Sequence, residues 1–111
     1  MEDIKVTLRS LGVAGNYRCY TRTLAAIALI LEDENRLFHV VQEVYTVVGL
    51  QCGCSWQAVE HSVRIAVGRA WRYNRDELIT LSGYPIDEAP TASEFMGVIV
   101  NHLQRNRQMS R

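Results

Sequence analysis

The stretch VYTVVGLQCGCSWQAVEHSVRIAVGRAW, residues 44–71, constrains the fold more than any other part of the chain. Val44, Val47 and Val48 fall on one side of a helix, and Gly49 after them admits the close approach of a second backbone. Cys52, Gly53 and Cys54 are small enough for a tight turn. Ser55 is a good N-cap, and Val59, Val63, Ala66, Val67 and Ala70 then repeat at helical spacing, so a second helix buries that face. Gln57, Glu60, His61 and Arg64 are left outside, at i, i+3, i+4 and i+7. Two helices joined by a turn of about four residues, the second with a polar outer face, are the plan of a helix-turn-helix DNA reader. Side chains of this outer row have the donors and acceptors to hydrogen-bond base edges.

The rest of the chain reads as helices and turns, with no strand. Asp3 caps a short helix carrying Ile4, Leu8 and Leu11, closed by Gly12. After a loop through Gly15 and Asn16, residues from Tyr17 to about Leu31 form a second helix with Tyr20, Leu24, Ile27, Ala28 and Leu31 inward. Glu32, Asp33 and Glu34 suit the negative end of a helix dipole poorly, so a break follows. Leu37, Val40, Val41, Val44, Val47 and Val48 keep a 3.6-residue period, which predicts one helix leading into the motif. Arg72 to Arg75 make a polar turn, Asp76 to Leu81 a short helix stopped at Gly83, and Pro85 and Pro90 bracket a loop. Thr91 with Glu94 is a capping box for a last helix that buries Phe95, Ile99 and Leu103 and frays from Gln104 to Arg111. The expected fold is all-α, a single domain of about six helices over residues 1–111.

Composition narrows the function classes. At 48% hydrophobic, 111 residues hold one real core and are too few for two. Twelve basic residues against twelve acidic exclude a strongly basic DNA-coating protein and leave any DNA contact to local charge. That local charge exists: from Glu60 to Arg75 there are four arginines and one acid. Eleven of the twelve basic residues are Arg, which suits bidentate recognition of phosphate or guanine, although genome composition produces the same bias. No apolar run approaches the ~20 residues of a membrane span, and MEDIKVTLRS lacks the order of a secretory signal, so the expected location is cytoplasmic, with no membrane partner.

The resemblance of the chain to a known family extends well beyond the motif. LGVAGNYRCY, VYTVVG with the long helix ending AVGRAW, and LSGYPIDEAPTASEFMGVIVNHL resemble, in order, the C-terminal effector domain of the stage-zero sporulation response regulator A of endospore-forming bacteria. Gly12, Tyr20, Tyr45, Val59, Glu60, Arg64, Trp71, Gly83, Tyr84, Pro90, Ser93, Glu94 and Phe95 fall at nearly the family's spacing. The resemblance implies an all-helical domain that binds promoter DNA as a transcriptional regulator, in pairs, with RNA polymerase as a further partner. Arg64 and Glu60 match an arginine and a glutamate that the family uses in its recognition helix. His61 stands where the family has another arginine, Ile65 where it has histidine, and the loop YPIDEAPT, with Asp87 and Glu88, replaces a longer one containing lysines. The family's full-length protein also carries a phosphorylatable receiver of roughly a hundred residues. These 111 residues leave no room for it, so the expectation is a stand-alone protein outside phosphorylation control, or an excised effector domain.

Candidate base contacts are therefore Gln57, Glu60, His61 and Arg64, against the plain reading of a solvated helix face. Candidate backbone contacts are Ser55, Trp56, Arg69, Arg72 and Arg75; the arginines serve equally well to favour a helix C-terminus, and Trp56 to pack on the first motif helix. Met96, Val100 and His102, off the main buried row of the last helix, are candidate dimer contacts unless they widen the core-facing stripe. Cys19, Cys52, Cys54, His39 and His61 lack zinc-site spacing, and no nucleophile–base pair or phosphate loop points to catalysis or to a cofactor. Neutral charge, His61, Ile65 and the acidic loop favour a rival reading, a protein-interaction module that keeps the fold without specific DNA binding.

Overall fold

Residues 2–14 and 18–109 are described by a computed structural model; the expected loop at Gly15 and Asn16 and the helix start at Tyr17 lie outside them. The α-helices are α1 (Glu2–Ser10), α2 (Arg18–Glu32), α3 (Thr46–Cys52), α4 (Trp56–Tyr73), α5 (Arg75–Ser82) and α6 (Ala92–Met109). A 3-10 turn (Glu34–His39) and a π-helical turn (Val41–Tyr45) join α2 to α3, and no strand occurs among the described residues. The fold is all-α, as the periodicity predicts.

The motif forms where its sequence places it. Gly53 ends α3 in the left-handed region, φ 70°, and both its N–H and that of Cys54 donate to the Gly49 carbonyl. Ser55 then caps α4, its Oγ accepting from the Ala58 N–H at 3.2 Å. A Cβ on Gly49 would stand 2.5 Å from the Cys54 carbonyl oxygen, a backbone atom with no rotamer to escape through. Gly49→Ala is therefore expected to lower stability by about 1–3 kcal/mol, read from the denaturant midpoint. An unchanged midpoint would mean that the turn does not hold α3 against α4 this closely.

Helix α4 is the central element, packed by α2, α3, α5 and α6. Val59, Val63, Ala66, Val67 and Ala70 are buried, the register that the motif predicts, together with Ser62. Helix α2 is turned by about one residue from the expected register. Its buried row is Cys19, Thr23, Ala26, Ile27 and Ile30, while Tyr20, Leu24, Ala28 and Leu31 lie half-buried along the edge. Small Cys19, Thr23 and Ala26 let helix axes come close, and the larger residues close the sides of the seam.

Residues 37–48, expected as one helix, are helical throughout but not as a uniform α-helix: a 3-10 turn, a π-helical turn and the start of α3 follow one another without a break. Asp33 caps the 3-10 turn by accepting from the Asn35 N–H, and Arg36 reaches back to the Leu29 carbonyl, tying the turn to the end of α2. The π-helical turn that follows adds a residue to its ring, so Tyr45 as well as Val44 faces the core. Asp3 lies inside α1 rather than capping it. It pairs with Arg107 at 3.1 Å, and α6 runs on to Met109, past the expected fraying point. Burial pushes the Asp3 carboxyl up, but Arg107 and the Ile4 N–H outweigh it and hold the group below the usual range. The capping box at α6 is formed: Thr91 N–H donates to Glu94 at 3.0 Å and Glu94 N–H to Thr91 at 3.1 Å.

Candidate nucleic-acid interface

One side of α4 is in the core, and the opposite side carries Gln57, His61, Arg64, Ile65, Gly68 and Arg72, all exposed. Their spacing of 4, 3 or 4, and 4 residues keeps them in one row along a helix of 18 residues. The row is mixed in chemistry: an amide, an imidazole, two guanidiniums and the branched alkyl of Ile65.

Arg64 reaches out from this row and is held there. Its Nη2 lies 3.0 Å from Glu60 Oε1; the arginine side chain is 68% exposed and the glutamate 28%. Glu60 thus faces sideways, into an open cavity of about 430 Å³ bounded by Tyr45, Val67, the loop residues Ala89 to Thr91 and the start of α6 at Ala92 and Ser93. Burial pushes the Tyr45 phenol up and the Glu60 carboxylate adds to this, while a hydrogen bond with Ser93 and the Arg64 charge partly offset both. Tyr45 therefore keeps its proton and links the start of α6 to the flank of α4. The end of the loop before α6, Ala89 to Thr91, borders this flank of α4, and Asp87 and Glu88 earlier in the loop are exposed.

The expected backbone contacts divide. Ser55 Oγ accepts from the Ala58 N–H and keeps its own hydrogen to donate. Trp56 is half-buried against the core. Arg69 Nε donates to the Gly12 carbonyl at 3.2 Å, and Arg75 lies over the Trp71 ring at 4.1 Å, so both guanidiniums have partners within the fold. Arg72 is exposed, in line with the outer row of α4.

The expected dimer contacts need correction. Met96 is fully buried and Val100 is 2% exposed, because α6 packs against α1, α2, α4 and α5 and its apolar face is correspondingly wide. Neither is available as a surface, and Val100→Glu would disrupt the core rather than an interface. Half-buried His102 stands with Nε2 3.2 Å from Asn106 Nδ2. The cysteines are dispersed, Cys19 buried in α2, Cys52 exposed and Cys54 half-buried at the turn. Sequence reading also passed over Arg18 and Arg22, which the fold brings to the turn of the motif; nothing in their local context marks them.

A glycine-turned helix pair whose second helix is buried on one side and arrayed with hydrogen-bonding side chains on the other defines the helix-turn-helix class of DNA-binding domains. The chain belongs to the family described as Sporulation initiation factor Spo0A C terminal, whose model matches residues 4–103. Membership carries DNA binding and sporulation control, the role of a regulatory domain rather than of an enzyme. No helix among the described residues is long and apolar enough to cross a membrane.

Proposed function

We propose that the protein is a sequence-specific transcriptional regulator that reads the major groove with α4. The observation that carries this is the register of α4. With Val59, Val63 and Ala66 in the core, Gln57, His61 and Arg64 are necessarily outward, and Glu60 steadies Arg64 from the side. Arg64 suits the O6 and N7 of guanine, and Glu60, if released from Arg64, the N4 of cytosine. Ile65 offers an apolar contact for a thymine methyl, where a hydrogen-bonding residue would read a different edge. Ser55 and Trp56 flank this row as backbone contacts and Arg72 extends it, with Arg69 and Arg75, each hydrogen-bonded within the fold through Nε, as further candidates.

A single recognition helix reads a few base pairs, so genomic selectivity calls for two copies on adjacent half-sites, about one helical turn or ~34 Å apart. The domain measures 34 × 32 × 25 Å, so its longest dimension matches that spacing. His102 remains the one surface candidate of the three proposed for that pairing, and RNA polymerase is the partner through which such a pair would act. Selection from a random duplex library tests the reading: a DNA reader enriches a common sequence. One observation favours the protein-interaction reading, namely Phe38, 80% exposed beside Glu32, Asp33 and Glu34. An unenriched library would support it.

A further inference from the structure

We infer that Arg18, Thr21 and Arg22 at the start of α2 form a DNA-phosphate site beside the turn of the motif, a deepening of the DNA-reading function proposed above. The fold brings these residues to the motif from some 40 positions upstream. Arg22 Nη1 donates to Ser62 Oγ at 3.0 Å and to the Ala58 carbonyl at 3.5 Å. Ala58 and Ser62 lie on the flank of α4 next to Gln57 and His61, so the guanidinium is pinned at the rim of the reading row. Both bonds use one nitrogen; the remaining donors of the fork are left for a ligand. Being half-buried and anchored, Arg22 has already lost much of the side-chain freedom that binding would otherwise take from it.

Arg22 opens onto a cleft of about 450 Å³ lined by Arg18, Thr21, Cys52 and Gly53. Two guanidiniums and a hydroxyl converge there, and among the described residues no carboxylate lines it. At Gly53 there is no side chain, and even an added Cβ would meet nothing within 4 Å, so a strand of backbone could come close to the turn. The ligand that matches is a phosphodiester, with planar forks for its oxygens and a hydroxyl donor beside them. The site flanks the reading row without continuing it, so it would set the docking of α4 and carry no base preference. Helix α2 also separates charge. Its basic start is at the motif, while Glu32, Asp33 and Glu34 stand about 20 Å away at the rise of a helix. A chain of zero net charge thereby presents a positive end where the turn meets DNA.

The test uses the full chain, a duplex enriched by the wild type, and a scrambled duplex of equal length. Arg18→Gln, Arg22→Gln and the double variant are titrated on both at several salt concentrations. Each lost phosphate contact is expected to lower the slope of log K against log salt by about 0.9, so that a rise from about 50 to about 200 mM costs the wild type roughly three- to fourfold more than a single variant. Enriched and scrambled duplexes should weaken alike, and Arg22→Lys should restore the slope. Arg18 is exposed, so its variant keeps the test open should Arg22→Gln loosen the α2–α4 seam; melting curves identify that case. A wild-type slope in Arg18→Gln, or a change of base preference instead of slope, would overturn the site while the reading function stands. A wild type that binds neither duplex would overturn both.

Discussion

Val63→Asp is expected to leave the chain without a cooperative fold at 25 °C. Val63 is fully buried on the inward face of α4, among helices that depend on that face for their common core. An aspartate there has three unfavourable outcomes: an unpaired buried charge, a neutral acid without a designed partner, or a backbone shift that exposes the core. Each costs several kcal/mol. A domain of this size has on the order of 5–15 kcal/mol in all, so the loss of a central apolar contact together with a buried carboxyl consumes most or all of it. Far-UV circular dichroism and a thermal scan decide the matter. A sigmoidal melt at the wild-type temperature would mean that α4 is rotated from the register described.

Arg64→Ala, one residue further on, is expected to do the opposite: the fold survives and base preference falls. The Arg64–Glu60 pair is largely exposed on the arginine side, and exposed pairs contribute about 0–1 kcal/mol, so the melting temperature should barely move. A bidentate contact to a base supplies about 1–3 kcal/mol of discrimination, which corresponds to roughly a fivefold to 150-fold loss of preference at one position. Competition between enriched and singly mismatched duplexes measures it. Full selectivity retained by a folded variant would remove Arg64 from the reading row.

These two outcomes follow from the part of the chain where sequence is most explicit. Helix α4 has one apolar stripe and one polar side, so its register is fixed by Val59, Val63, Ala66 and Ala70 alone. The caps are equally local: Ser55 to Ala58, and Thr91 to Glu94, lie within three residues of each other. Helix α2 is less explicit because it is covered from several directions, and its large residues sit at the edges of a seam built on small ones. The apolar period through residues 37–48 is compatible with one helix. What interrupts its α-helical hydrogen bonding is a 3-10 turn followed by a π-helical turn, changes of ring size that apolar periodicity does not encode. Met96 and Val100 look peripheral on a helical wheel and become core only once α6 is packed by four neighbours. Arg22 and Ser62, forty residues apart, are joined by the fold alone. The exposed row of α4 was thus legible, and the arginines of α2 beside it were not.

The most direct measurement is the salt dependence of affinity for a duplex enriched from a random library, set against its scrambled counterpart. The expected result is preferential binding of the enriched duplex by at least about a thousandfold when two copies occupy it, with affinity for both falling steeply and log-linearly as salt rises. Equal affinity for the two duplexes, or no salt dependence in either, would contradict a sequence-specific reader built on α4.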